Sequence, residues 1–206
     1  MTSELERLRG VMAELRVLCP WDAQQTHASL LTHLVEETCE VVDAVETGDD
    51  AELAEELGDL LLQVYFHARI AEDEGRFDLD DVARGIRDKL VRRHPHVFAD
   101  EDAPVDIRQS WEAAKRVEKG RTSSLEGIAH SLSAVARAQK VISRTRSHAV
   151  PIVLADAPIT DAKVGEQVLE LVARAQASGV DADAAIRRAL RALEGEIVTA
   201  EGHSCA

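Results

Sequence analysis

Two stretches decide the fold: LVEETCE, residues 34–40, and AEELGDLLL, residues 54–62. Each sets a group of acids against an aliphatic run. At the helical angle of about 100° per residue, Glu36, Glu37 and Glu40 fall within an arc of about 100°, while Glu56 and Asp59 lie about 60° apart on the following segment. Both arcs border the apolar stripe of their own helix, least clearly at Glu36. Antiparallel packing of the two helices would turn the arcs toward one another across the seam.

The pattern around these stretches predicts further helices with short links. Residues 3–18 read as a helix stopped at CPWD (19–22), since Pro20 restricts Cys19 and lacks a backbone donor. Residues 29–46 form the helix of the first acids, with Gly48 as C-cap and Asp49 or Asp50 as the next N-cap. Residues 51–74 carry the second acids, with Leu53, Leu57, Leu60, Leu61, Val64 and Ala68 on one stripe. A fourth helix spans 79–93 and ends at HPH, where His94 and His96 flank a structural turn. Helices over 107–119, 132–146, 162–177 and 182–200 follow. A connector at 147–158 and a frayed EGHSCA terminus complete the chain. The expected class is all-α, an antiparallel four-helix-bundle-like domain with additional C-terminal helices.

Composition agrees with this. Aromatic residues make up 3% of the 206 residues, and the alanine, leucine, valine and glutamate that dominate favour helix. A net charge of −14 argues against a general nucleic-acid grip, whose phosphates need a basic surface. A phosphorylated small molecule remains compatible, because bound cations reverse the local sign. The three cysteines, Cys19, Cys39 and Cys205, form no CxxC or disulfide framework, which suits a reducing compartment. With no signal-peptide core at the N-terminus and no apolar run of about 20 residues, the expected location is cytoplasmic, with no membrane association.

Four or five carboxylates drawn together would repel and bind protons more tightly unless cations held them. Hard oxygen donors without cysteine or histidine point to Mg2+ or Mn2+. Among 38 acidic residues, however, acid pairs at i, i+3 and i, i+4 also arise as plain solvated faces, and spacing alone leaves both readings open. Cationic partners for a polyphosphate are present. Lys89 and Arg93 stand at i, i+4 in DKLVRRHPH, and Trp111 and Lys115 do the same in SWEAAK. Trp21 or Trp111 could stack on a base. Each has an ordinary alternative, as a dipole-complementing cation near a helix end or as a core tryptophan. Glycine-rich phosphate loops, GxSxG and HExxH are absent.

The run CPWDAQQTHASLLTHLVEETCEVVDAVETGDDAELAEELGDLLLQVYFHARIAEDEGRFDLDDV (19–82), with DKLVRRHPHVF (88–98) and SWEAAK (110–115), resembles the MazG nucleoside triphosphate pyrophosphohydrolases. The likeness continues more weakly through SSLEGIAHSLSAVARAQKVISR (123–144). It implies a dimeric all-α enzyme that uses Mg2+ to hydrolyse NTPs and dNTPs to a monophosphate and pyrophosphate in nucleotide-pool housecleaning. By position it implies Glu37, Glu40, Glu56 and Asp59 as metal ligands, with Glu36 as an extra acid. Lys89, Arg93, Trp111 and Lys115 are implied as substrate-binding residues. The alternatives are a narrower pyrophosphohydrolase of the same superfamily, acting on dUTP, dCTP or phosphoribosyl-ATP, and a non-catalytic acidic helical protein that binds a partner.

Long members of that family carry the domain twice, and here the second copy looks shortened. FHARIA (66–71) resembles VARAQA (172–177), and GIRDKL (85–90) resembles AIRRAL (185–190). The second alignment puts Ala189 at the place of Lys89 and Leu193 at that of Arg93, and no EExxE recurs downstream. The expected organisation is a catalytic domain over 1–119, a hinge and connecting helix over 120–150, and a degenerate, non-catalytic second copy over 151–206.

Overall fold

Ser3 opens the first helix by accepting the backbone N–H of Glu6, and α1 runs over Glu4–Leu18. Cys19 is extended and ends it, as CPWD leads one to expect. Pro20 then does something the sequence reading omits: it starts a new short helix, α2, over Pro20–Gln24. Proline fits there because the first helical residue needs no N–H donor. The same chemistry at Pro95 turns the expected turn at HPH into a four-residue helix, Pro95–Phe98.

Between these, α3 covers Leu31–Thr47 and α4 covers Asp50–Asp73. Gly48 closes α3 with φ of 76°, a left-handed conformation that glycine adopts without a Cβ penalty. Asp49 immediately caps α4, accepting from the N–H groups of Ala51 and Glu52. The helix α5, Leu79–Arg93, starts on a reciprocal box in which Asp78 and Asp81 each accept the other's backbone N–H. The helix Pro95–Phe98 is α6.

These observations refer to the residues that this computed structural model describes: 2–99, 106, 111, 114, 115 and 118–203. Among them the chain is helix and loop without a strand, so the fold is all-α. No helix among them is long and apolar enough to cross a membrane. The chain divides into two compact units, Met1–Glu101 and Asp102–Ala206.

In the first unit α4 is the central element, packing against α1, α3 and α5. Its core joins Met12, Leu30, Tyr65, Phe66 and Ile70. Tyr65 donates its hydroxyl to the Leu5 carbonyl at 3.1 Å, tying α4 to α1. Arg16 holds three elements together: it meets Asp73 of α4 at 3.2 Å and donates to the carbonyls of Asp22 and Gln25. The expected stripe of α4 is only partly the buried one. Ala68 is buried, but Leu57 is 48% and Val64 40% exposed. The core instead takes the neighbouring face, because α1 packs over Tyr65, Phe66 and Ile70.

The second unit has its own core of Ile128, Val141, Leu190 and Ile197. Trp111, Ala114, Lys115, Glu118 and Lys119 are helical; the rest of the helix expected over 107–119 lies outside the described residues. Ser133 caps α7, Ala134–Ser147, and Thr160 caps α8, Asp161–Ala177. The last helix, α9, runs over Ala182–His203 and so extends past the expected end at Ala200; residues 204–206 are outside the described part. Arg137 of α7 meets Glu194 of α9 at 2.7 Å and also donates to the carbonyls of Ile128 and Ala129. The segments that look alike in sequence differ in burial. FHARIA contributes Phe66, Ala68, Ile70 and Ala71 to the interior, whereas α8, which holds VARAQA, has no buried residue.

Past the end of α7, Ala149 adopts φ of 51°, in the left-handed region that costs an ordinary residue about 1–2 kcal/mol. Ala149→Gly removes that cost against a larger unfolded-state entropy. A net gain of about 0.5–1 kcal/mol is expected, read from thermal or urea melts of the second unit's transition.

Candidate functional site

The acids meet because α3 and α4 run antiparallel from the Gly48 turn. Contacts between them step in opposite directions along the two helices: Glu37 reaches Glu56 and Asp59, while His27, before α3, reaches His67, later on α4. Carboxylate oxygens of Glu37, Glu56 and Asp59 all lie within 4.8 Å of one another, and all three side chains are half-buried. Glu40 is more exposed but belongs to the same charge cluster, since it raises the pKa of both Glu37 and Glu56. Glu36 points outward, where His33 Nδ1 lies 3.3 Å from its carboxylate. Adjacent residues on a helix diverge by about 100°, which is why Glu37 turns into the seam and Glu36 away from it.

Among the described residues, no lysine or arginine forms an ion pair with Glu37, Glu56 or Asp59. Partial burial holds the Glu37 carboxyl above its ordinary value, and Asp59 and Glu40 push it further. Burial likewise raises Glu56, with Glu40 and Asp59 adding to it. Proton affinity raised in this way reflects desolvation first and the neighbouring like charges second. An all-oxygen set of carboxylates from two helices, at mutual distances one cation can span, suits a hard divalent ion.

The remaining sequence-derived residues are placed as follows. Lys89 and Arg93 are half-buried on one face of α5, which packs on α4 and is exposed elsewhere except at Leu79. Trp21 on α2 is 53% exposed and meets His33 and Phe66 edge-on, with ring centroids at 6.1 and 6.3 Å. An exposed indole braced by two rings retains area for a planar ligand. Trp111 and Lys115 belong to the second unit and touch each other, with Lys115 Nζ 3.6 Å from the indole centroid. Their i, i+4 spacing produces this cation–π contact. His94 and His96 flank Pro95 with ring centroids 5.8 Å apart, and His94 Nδ1 bonds the Leu90 carbonyl.

Three polar residues beside the cluster escape the sequence reading. His27 and His67 touch through their Nδ1 atoms at 2.7 Å, and Gln63, one turn beyond Asp59, is 4% exposed. The available signal is that THA and FHA flank the two acid segments on opposite sides, where antiparallel helices bring residues together.

Residues 25–98 match the model of the MazG nucleotide pyrophosphohydrolase domain. Over 197 residues the chain is 44% identical to an uncharacterised 26.1 kDa protein from the blaB 3′ region of Streptomyces cacaoi, covering 93% of this chain and 80% of the relative. It is 41% identical over 187 residues to the nucleoside triphosphate pyrophosphohydrolase of Escherichia coli K12, covering 87% of this chain and 70% of that one. Identity to the nucleoside triphosphate pyrophosphohydrolase of Mycobacterium tuberculosis is 46% over 162 residues, 77% of this chain and half of the relative.

Repulsion in the cluster has a measurable cost. A carboxylate whose folded-state pKa is raised destabilises the fold at neutral pH, and the penalty fades as pH falls through the raised value toward the ordinary 4.5. Glu37→Gln therefore raises the melting temperature of the metal-free protein at pH 7, and the gain shrinks as the pH approaches 4.5. Divalent cation stabilises the wild type and has less effect on the variant; calorimetry with chelator and with added Mg2+ reads both.

Proposed function

Since the chain belongs to the MazG nucleotide pyrophosphohydrolase family, we propose that it hydrolyses nucleoside triphosphates, NTPs and dNTPs, to a nucleoside monophosphate and pyrophosphate. The observation that carries this reading is the cluster of Glu37, Glu56 and Asp59, three carboxylates held within 4.8 Å. Glu40 completes the ligand set, and Glu36 lends further negative charge at its rim. When bound there, Mg2+, or Mn2+ in its place, supplies the positive charge that lets an acidic seam receive a triphosphate.

The chain's own residues supply the rest. A cluster carboxylate takes a proton from the attacking water. The water oxygen bonds to the α-phosphorus as the bond from that phosphorus to the α–β bridging oxygen breaks. The electron pair leaves with pyrophosphate. Lys89 and Arg93 offset the charge that gathers on this leaving group. Trp21, Trp111 and Lys115 are assigned to substrate binding, with an indole as platform for the base.

We assign residues 1–119 to catalysis, 120–150 to a connection, and 151–206 to a shortened, non-catalytic copy that serves packing and assembly. A homodimer is supported by apolar side chains left exposed at helical spacing: Leu31, Val35, Val42 and Val45 on α3, with Leu57 and Val64 on α4. The helix α8 likewise exposes Val168, Leu169 and Leu171. A nucleotide-pool enzyme of this kind acts in the cytoplasm, without nucleic acid or membrane as partner.

Purified protein incubated with each NTP and dNTP, with and without Mg2+, should release monophosphate and pyrophosphate in equal amounts and only with the metal. Glu40→Ala and Asp59→Ala should each lower kcat/KM by more than the roughly 10–100-fold typical of losing an outer-sphere partner. The reading fails if the wild type releases no pyrophosphate from any nucleotide, or if both variants match it. The same panel separates a general enzyme from one restricted to dUTP, dCTP or phosphoribosyl-ATP. Val42→Glu should reduce the mass in solution from two chains to one, as read by light scattering.

A further inference from the structure

His27 and His67 take no part in the hydrolysis described above, yet their geometry is tightly defined. Their Nδ1 atoms lie 2.7 Å apart, their ring planes are within 2° of parallel, and their centroids are 5.0 Å apart. That separation equals the nitrogen contact plus a ring radius at each end, so the imidazoles meet edge to edge in a common plane. This is the approach of a linear N–H···N hydrogen bond.

Arg76 fixes the direction of that bond. Its Nη2 lies 2.5 Å from His27 Nε2, and a guanidinium can only donate. His27 Nε2 must therefore accept, which leaves the single proton of a neutral His27 on Nδ1. That proton is donated to His67 Nδ1. His67 then carries its own proton on Nε2, which is buried without a protein partner. One turn back along α4, Gln63 Oε1 is also buried without a partner. An unmatched donor and an unmatched acceptor thus follow each other on successive turns, and the next turn holds Asp59.

The surrounding charges are engaged elsewhere. Glu74 bonds Arg76 at 2.6 Å. Asp73 of α4 is held by Arg16 of α1 and by Arg69 of α4, which also meets Glu72. On α3, His33 faces Glu36. A further proton would have to sit on His27 Nε2, against Arg76, or on His67 Nδ1, against the His27 N–H. Either one breaks a bond of the line and sets a positive charge near Arg76. Burial, with His27 alongside, accordingly keeps the His67 pKa below its ordinary 6.5. The contribution of the neutral His67 to stability is complete above about pH 6.5 and is lost as the pH falls below it.

We infer that Arg76, His27 and His67 form a directed hydrogen-bond line that pins the segment before α3 onto α4, so that the two histidines are positioning residues for the acid cluster. The Gly48 turn fixes one end of the helix pair and this line fixes the other. Together they set the register that places Glu37 against Glu56 and Asp59. The inference rests on the reading of that cluster as the cation site.

Long-range 15N–1H correlation spectra of the imidazoles in the whole protein at pH 7 test the line without any assay of hydrolysis. The expected result is His27 as the neutral Nδ1–H tautomer and His67 as the neutral Nε2–H tautomer. A His27 protonated on Nε2, or a charged ring at either position, overturns the proposal. Mn2+ titrations followed by electron paramagnetic resonance, without nucleotide, test the positioning role. His27→Leu should weaken Mn2+ binding several-fold, while His27→Asn, whose amide nitrogen occupies the Nδ1 position, should recover most of it. Equal binding by wild type and the leucine variant, or equal loss in both variants, overturns the positioning role. If the wild type itself binds no Mn2+, the cation-site reading and the role built on it fall together, and the tautomers still decide the line.

Discussion

Like charges confined in a half-buried seam govern this molecule. Carboxylates of Glu37, Glu56 and Asp59 within 4.8 Å repel one another, and no ion pair among the described residues offsets this. The helices that carry them stay together because the attraction lies elsewhere. Met12, Leu30, Phe66 and Ile70 bury apolar surface between α1, α4 and the start of α3, and Gly48 joins the far ends covalently. The core thus stabilises a local arrangement that would separate if left to its own electrostatics. Binding sites for charged ligands are commonly held in this strained condition, and the strain is relieved when the ligand arrives.

The second unit is built on another principle. Several of its polar contacts pair opposite charges or reach backbone. Arg137 meets Glu194, Arg144 donates to the Glu126 carbonyl, and Glu201 accepts the Ser124 N–H. Glu126 in turn gathers the N–H groups of Thr122 and Ser123 and the Thr122 hydroxyl, which hold its carboxyl below the usual range. Acids here are satisfied as structural acceptors, whereas acids of the α3–α4 seam are left in excess.

Much of this was legible in the sequence, and the gaps have physical causes. Long helices and their caps at Ser3, Gly48, Asp49 and Asp78 follow from local chemistry, so spacing and cap residues suffice to find them. Pro20 and Pro95 are ambiguous locally, because the residue that ends one helix also opens another. The stripe on α4 was visible as a period, but which edge of it is buried depends on where α1 lands, and that is a tertiary choice. The acid segments could be recognised, yet spacing alone did not separate Glu36 from Glu37. Least legible was His27 with His67, since their contact needs the antiparallel register and the position of Arg76 together.

A last consequence concerns the asymmetry of α4. Every buried residue of this helix, from Gln63 to Ala71, lies in its C-terminal half, and the acids Glu56 and Asp59 lie in the other. The helix is anchored in the core over its C-terminal half, while the arm that carries these acids packs against α3. Backbone amides along that arm should exchange hydrogen faster than those beyond Gln63, because opening them exposes little apolar surface. Occupancy of the seam would slow that exchange, so ligand binding would register as stiffening of half a helix while its anchored half stays as it was.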